Sequence, residues 1–264
     1  MSCEKNLIIN ADDFGQTLGI NDGIVIAHLR GILTSTTIMA TGTAFDHAVK
    51  LSHKYPSLDI GCHLTLVGGP SQPYTVKELV KKMLRGKVNV EGELDAQIRR
   101  CLDAGIKLTH LDTHKHTHLL PTVLKVVARL SRKYSIPWVR RPFDFPMQSG
   151  TVPGSRKAIS RALGLVRWWF QRTLRTYGCR TTDHFAGFSL TGFLQTSELV
   201  ELLQKLPEGT TELMTHPGYC DEELRYGTSR LKESREAELR ALVSDEAKQA
   251  IKENGIRLVG YHQL

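Results

Sequence analysis

Short apolar or β-branched runs alternate along this chain with longer stretches in which apolar residues recur at helical spacing. The short runs are typical of buried strands and the longer stretches of amphipathic helices. The predicted strands are Leu7–Asn10, Thr34–Met39, Asp59–Leu66, Leu108–Thr113, Pro137–Arg140, Asp183–Phe188, Glu212–Thr215 and Arg257–Gly260. Because helical material separates them, the pattern predicts parallel βα units with right-handed crossovers. Up to eight units in 264 residues favour an α/β fold, a complete or distorted (β/α) barrel of seven to eight strands, over an open doubly wound sheet. We expect one domain spanning residues 1–264.

The composition is that of an ordinary folded protein. Hydrophobic residues make up 41% of the chain and charged residues 23%, which argues against wholesale disorder. The first apolar run, Leu7–Ile9, is too short for the core of a signal peptide, and no run approaches the roughly 18 apolar residues of a spanning helix. Five scattered cysteines without a C-x-x-C pair exclude a thiolate zinc site and suit a reducing compartment. We therefore predict a cytoplasmic protein.

The net charge of +8 comes mostly from one segment, residues 155–180, which has no acidic residue. Its basic residues are Arg156, Lys157, Arg161, Arg167, Arg172, Arg175 and Arg180. Because the basic character is local, and because the chain lacks a recognised nucleic-acid motif and has only 7% aromatic residues, we expect no nucleic-acid partner.

The same segment reads as an amphipathic helix. Its predicted core stripe is Ile159, Leu163, Val166, Phe170 and Leu174, and its opposite face carries Lys157, Arg161, Trp168, Arg172 and Arg175. The simpler interpretation is a solvated face whose Trp packs on a loop or on a second subunit, as in a homo-oligomer. The alternative is an interfacial helix on an anionic membrane, which would place the protein peripherally on the inner membrane surface.

Polar residues that could carry chemistry follow several predicted strands, where barrel active sites are built. Asp12 and Asp13 are adjacent and point in different directions, so one can bind a metal ion while the other handles a proton. His63 lies near the end of the third strand, and His216 follows the seventh. Taken singly, the Asp pair also fits a turn or helix cap, and His63 also fits a structural histidine.

The most distinctive cluster has four His and one Asp within nine residues, all at even positions. Its members are His110, Asp112, His114, His116 and His118. While the segment stays extended, period 2 places all five on one face, which indicates a cleft or a metal site. A solvated His-rich loop is the alternative.

A mixed His and carboxylate set suits a catalytic divalent cation such as Zn²⁺, or a harder ion whose shell is completed by water. Such an ion acidifies bound water and polarises a carbonyl group, and neighbouring Asp and His supply the acid and base that amide hydrolysis needs. The residues alone thus predict a metal-dependent hydrolase.

At these positions the chain resembles the YdjC-like carbohydrate deacetylases, a family that includes chitooligosaccharide deacetylases and hopanoid-biosynthesis-associated deacetylases. The markers are Asn10–Gly15, Thr34–Thr37, Gly61–Leu64, His110–His114 and Thr215–Gly218, and the resemblance covers nearly the whole chain. It implies a (β/α) barrel, one bound divalent ion of the Mg²⁺ or Zn²⁺ type, and removal of acetyl from an N-acetylated sugar.

Carried over by position, the resemblance implies metal ligands Asp13, His63 and His114. It implies Asp12 as the base that activates the attacking water and His216 as the acid that protonates the leaving amine. The family often has Ser in place of Thr113 and Gln or His in place of Lys115, differences that concern substrate detail more than catalysis.

Five further residues are candidates beside this set. Asp112, His116 and His118 are able to fix the orientation of His114. Arg140 and Arg141 end another predicted strand, where they fit either substrate contact or surface charge.

We therefore predict a metal-dependent hydrolase that removes the N-acetyl group from an acetamido sugar, as an oligosaccharide or a lipid-linked glycan. One alternative is a metal-dependent phosphoesterase that uses the same ligands. The other is a carbohydrate- or membrane-binding protein whose barrel has lost catalysis.

Overall fold

Eight parallel strands form one curled sheet in the computed structural model, which describes residues 4–69, 72–145, 154–227 and 229–264 and omits the side chains of residues 156, 157, 160 and 161. The strands are β1 Lys5–Phe14, β2 Ser35–Ile38, β3 Asp59–Leu64, β4 His110–Thr113, β5 Trp138–Val139, β6 His184–Ala186, β7 Gly209–Thr215 and β8 Ile256–Leu258. Seven of them run in the order β5-β4-β3-β2-β1-β7-β6, and β8 pairs with the start of β1. This confirms the predicted α/β fold of the distorted (β/α)-barrel type.

Helices surround the sheet. They are α1 Leu18–Arg30, α2 Phe45–Lys54, α3 Val76–Leu84, α4 Val90–Asp103, α5 Pro121–Lys133, α6 Gly154–Leu163, α7 Arg167–Thr176, α8 Thr196–Gln204, α9 Glu222–Tyr226, α10 Glu233–Val243 and α11 Asp245–Glu253. Pro121 opens α5, where its missing N–H leaves no hydrogen bond unmade. Among the described helices, none combines the length and the apolar character needed to cross a lipid bilayer.

The central strand β1 aligns the site. Its Ala11 pairs with Thr36 of β2 on one side and with Thr215 of β7 on the other. In the same way His63 of β3 lies opposite Asp112 of β4. Because parallel neighbours end at the same edge, the polar residues that follow these strands meet there.

The barrel is weakest between β5 and β6. Those strands have two and three residues and do not pair with each other; an isolated bridge joins Trp138 to Arg180, and the Phe145 N–H donates to the Phe185 oxygen at 2.9 Å. Helix α7 packs on α5 beside this gap, with Phe170 and Leu174 fully buried.

The His-rich cluster does not stay extended as predicted. Strand β4 ends at Thr113, and residues His114–Leu119 form a 3₁₀ helix in which Lys115 and His116 have φ values of 52° and 51°. The Thr113 hydroxyl accepts the backbone N–H of His118 at 3.0 Å, which stabilises the turn. The prediction that all five side chains share one face is therefore wrong beyond His114, because left-handed residues break the period of 2.

The basic segment is not one helix either. A 3₁₀ turn, Gly164–Val166, separates α6 from α7, so the helical phase assumed for the core stripe is interrupted. Phe170 and Leu174 are buried as predicted, whereas Ile159 is 53% exposed and Val166 is 40% exposed. Trp168 is 72% exposed, in line with the predicted polar face, and the side chains of residues 157 and 161 lie outside the described part.

Helix α1 packs closely on the loop that follows β7, because Gly23 lies against Gly218. A Cβ atom at Gly23 would lie 2.5 Å from the Gly218 Cα. Ala normally stabilises a helix interior by about 1 kcal/mol relative to Gly. Here we expect Gly23→Ala to lower the free energy of unfolding by about 1–3 kcal/mol in urea denaturation, since backbone must move.

The control is Gly164→Ala, where the added Cβ meets no described atom within 4 Å. We expect no loss of stability for this variant. A Gly23→Ala protein as stable as the wild type would contradict the close contact.

Candidate active site

Residues from four strand ends line one cavity of about 440 Å³ at the carboxyl edge of the sheet. Asp12 and Asp13 come from the end of β1, His63 from β3, His114 from just after β4, and His216 from just after β7. His116 also lines the cavity, as does Arg235 from α10.

Three of these side chains converge on one point. The Oδ1 atom of Asp13 lies 3.4 Å from Nε2 of His63 and 3.3 Å from Nδ1 of His114, and the two ring nitrogens are 3.2 Å apart. Ligands about 2.0–2.2 Å from one cation stand at such separations from each other. Oδ1 of Asp13 is buried and has no hydrogen-bond partner in the described chain, so a cation would satisfy it.

The Asp13 carboxylate is held in place by a buried arginine. Arg235, which is 1% exposed, donates to Oδ2 of Asp13 at 2.5 Å and leaves Oδ1 free to face the two imidazoles. Asp13 itself has φ 72°, a conformation that Asp tolerates better than most residues. Burial would raise the pKa of Asp13, but Arg235 and His114 outweigh burial and hold this pKa well below its usual range.

Asp112 orients His63. Its Oδ1 lies 2.7 Å from Nδ1 of His63, which leaves Nε2 directed at Asp13. Burial opposes a charge on the imidazole, but the carboxylates of Asp112 and Asp12 prevail and raise the pKa of His63 to about 9. A cation that binds Nε2 must therefore displace a proton.

Arg140 ties the carboxylates together and is only 1% exposed. Its Nη1 and Nη2 donate to Oδ2 and Oδ1 of Asp12, both at 2.7 Å. Nη1 also lies 2.5 Å from Asp112, and Nε donates to Glu212 at 2.6 Å. Burial works to raise the pKa of Asp12, yet Arg140 and His63 keep it far below its usual range, so Asp12 is ionised. Arg140 does not line the cavity; it positions Asp12.

His216 faces Asp12 across the cavity, with Nε2 3.9 Å from Oδ2. Its backbone N–H donates to Glu238 of α10 at 2.6 Å. Burial lowers the pKa of His216 to about 4, and burial raises the pKa of Glu238 to about 7. The imidazole is thus neutral at neutral pH, and Glu238 readily holds a proton.

Two of the remaining candidates lie away from the cavity. The ring of His118 bonds to Oγ1 of Thr113 at 2.5 Å and to the Arg140 carbonyl at 3.1 Å, so it supports the backbone around the site. Arg141 lines a separate cavity, outside the barrel interior.

Sequence reasoning missed Arg235, Glu238 and Glu212. Helix α10 is rich in charged residues and reads as a surface helix, but Arg235, Glu238, Leu239 and Leu242 recur at helical spacing and are its buried face. That spacing is the signal in the sequence that could have identified Arg235 and Glu238 as buried. Glu212 lies in the buried part of β7, directly before Leu213 and Met214, where a lone carboxylate predicts a buried partner.

The fold and site define a (β/α)-barrel protein with a His and carboxylate centre at the carboxyl edge of its sheet. Residues 6–253 match the family model described as YdjC-like protein, and the chain belongs to that family. A carbohydrate deacetylase of Brevibacillus brevis is 37% identical over 271 residues, covering 98% of this chain and 99% of that protein. One from Thermoanaerobacter pseudethanolicus is 31% identical, again covering 98% and 99%.

Among solved structures, a protein of Enterococcus faecalis V583 named for cellobiose-phosphate cleavage is 30% identical to this chain. It superposes with a TM-score of 0.78 over 98% of both chains.

The Arg140 network predicts an unequal effect of two arginine substitutions. Arg140→Met leaves three buried carboxylates without their cation, and we expect it to lower the free energy of unfolding by about 3–5 kcal/mol. Arg129→Met, the control, breaks a surface pair with Glu91 and costs under about 1 kcal/mol. Urea denaturation at pH 7 measures both. Similar losses for the two variants would contradict the network.

Glu238 predicts a pH dependence of stability. Because its folded pKa of about 7 lies above the value of 4.5 for an unperturbed Glu, its contribution is full at low pH and is lost as pH rises between these values. Glu238 is 1% exposed, so raising the pH from 4.5 to 7.5 should destabilise the wild type relative to Glu238→Gln. We expect the free energy of unfolding of the wild type, measured relative to that of the variant, to fall by about 3 kcal/mol over this range. A difference that stays constant with pH would contradict the raised pKa.

Proposed function

We propose that this protein is a metal-dependent hydrolase that removes the N-acetyl group from an acetamido sugar. The observation that carries the proposal is the convergence of Asp13, His63 and His114, with Asp12 and His216 on the same cavity. The relatives named carbohydrate deacetylases support the substrate class.

Asp13, His63 and His114 would hold one divalent cation, Zn²⁺ or Mg²⁺. Their oxygen and nitrogen donors and the unpaired Oδ1 of Asp13 fit such an ion. When bound, the ion supplies polarisation of the amide carbonyl and acidification of the attacking water.

Asp12 accepts a proton from the water as the water oxygen bonds to the amide carbon. Arg140 fixes the orientation of Asp12 and keeps its pKa low, so the proton is passed on readily. His216 is neutral before reaction and lies 3.9 Å from Asp12, where it can receive this proton. It then gives the proton to the nitrogen as the C–N bond breaks, which yields acetate and a free amine.

The cavity suits a sugar. Its volume of about 440 Å³ falls within the roughly 300–1,000 Å³ typical of ligand sites. Met39, Met214 and Phe188 form apolar parts of its wall, whereas Lys115 and Arg230 supply polar donors. This combination of apolar wall and polar donors matches a sugar ring, which has apolar faces and hydroxyl groups around its edge.

Substitutions separate metal binding from proton transfer. Asp12→Asn retains the three ligands but removes the base, so we expect metal content near one ion per chain and acetate release reduced at least about 100-fold. His63→Ala and His114→Ala lose both metal and activity. Acetate release from N-acetylglucosamine compounds and elemental analysis are the measurements, with exposed His53→Ala as the control.

A fully active Asp12→Asn protein would remove the proposed role of Asp12. Phosphate release from phosphate esters in place of acetate release would favour the phosphoesterase alternative. Tight binding of the sugar without turnover would favour the non-catalytic alternative.

We also propose that the protein works in the cytoplasm and touches an anionic membrane surface through residues 155–180. Leu165, in the turn between α6 and α7, is 88% exposed, and Trp168, in the first turn of α7, is 72% exposed beside three arginines of that helix. Ile159 of α6 lines the active-site cavity, so this surface lies next to its mouth. A lipid-linked glycan would be reached from there.

Vesicle co-sedimentation tests the membrane contact. We expect Leu165→Ser to reduce pelleting with vesicles that contain phosphatidylglycerol, because it removes an exposed apolar contact. Leu84→Ser, at a site 84% exposed on α3, is the matched control and leaves pelleting unchanged. Equal pelleting with neutral and anionic vesicles, or none with either, would overturn the contact.

A further inference from the structure

A second cavity, of about 700 Å³, lies beside the gap between β5 and β6 and shares no lining residue with the active-site cavity. Its walls come from α7, from β5 and from residues 180–183. Four arginines line it, namely Arg141, Arg167, Arg175 and Arg180, against a single acidic side chain, that of Asp183.

Arg141 is the buried member, at 4% exposure. Its Nη1 donates to the main-chain oxygen of Asp183 and, at 3.4 Å, to that of Thr182. Its Nε is buried and has no hydrogen-bond partner among the described residues. A buried, charged guanidinium group with an unpaired donor is costly, and an anion bound in the cavity beside it would offset that cost.

The Asp183 carboxylate and an oxygen of Leu264 offset part of the positive charge of the cavity. The carboxylate of Asp183 accepts the backbone N–H of Thr210 at 2.9 Å. Arg180 lies 4.0 Å over the Trp138 ring and donates to the Leu264 oxygen at 3.1 Å. Burial lowers the pKa of Arg141 to about 10, and the neighbouring Arg167 adds to that effect.

We propose that this arginine cavity binds a phosphate group, either free phosphate, a phosphate monoester or the head group of a phospholipid. Guanidinium forks match the spacing of phosphate oxygens, and the four arginines that line the cavity can present several such donors to one anion. Trp168 and Leu165 lie on or beside the same helix, which suits a head group whose lipid lies against α7. This site does not depend on the function proposed for the other cavity.

The binding of free phosphate is tested by calorimetric titration of the full, metal-bound chain with inorganic phosphate. Arg167→Gln/Arg175→Gln removes two exposed arginines of the cavity, and Arg85→Gln/Arg132→Gln makes the same change of charge elsewhere on the surface. We expect saturable binding that the α7 double variant weakens at least about tenfold and that the control retains. If phosphate bound in the active-site cavity instead, neither double variant would weaken its binding.

Co-sedimentation with phosphatidylcholine vesicles, with and without phosphatidylglycerol, tests the second source. Pelleting that requires the anionic lipid and falls in the α7 double variant more than in the control assigns the cavity to a head group. Two results together would overturn the proposal. The first is a phosphate affinity that does not change in the α7 double variant, and the second is vesicle binding that is absent or that falls equally in both variants.

Discussion

The buried guanidinium group of Arg140 is the interaction on which the site depends. It leaves the end of β5 and reaches across the barrel interior to Asp12 on β1, Asp112 on β4 and Glu212 on β7. Each of these carboxylates would be costly to bury alone. Through Asp112 the same guanidinium group orients His63, so Arg140 sets the geometry of both Asp12, the proposed base, and His63, a proposed metal ligand.

Charge balance explains why this centre suits a divalent ion. Four buried carboxylates, those of Asp12, Asp13, Asp112 and Glu212, face two buried guanidinium groups, those of Arg140 and Arg235. Burial raises the pKa of Glu212 even though Arg140 is in contact with it, and the nearby Asp112 carboxylate adds to the rise. A proton on His63 relieves part of the excess of carboxylates over guanidinium groups, and a divalent ion at Asp13 would relieve more of it.

The fold and the main site residues follow from local sequence patterns, whereas the buried partners that hold those residues in place do not. The strand and helix periodicities predicted the parallel barrel, and strand ends predicted where Asp12, Asp13, His63 and His216 lie. The partners of these residues are distant in sequence: Arg235 lies 222 positions from Asp13, and no local pattern fixes such a pairing. The positive φ values at Lys115 and His116 were equally beyond a pattern of alternation, because Thr113 and tertiary contacts impose that turn.

The central claim is that one ion, held by Asp13, His63 and His114, supports amide hydrolysis in this cavity. The most direct measurement adds Zn²⁺ or Mg²⁺ stepwise to protein that elemental analysis shows to be metal-free, and follows acetate release from an N-acetylglucosamine oligomer. We expect activity that rises in proportion to added metal and stops rising at one equivalent per chain. Full acetate release from the metal-free protein would contradict it, as would activity that appears only above one equivalent.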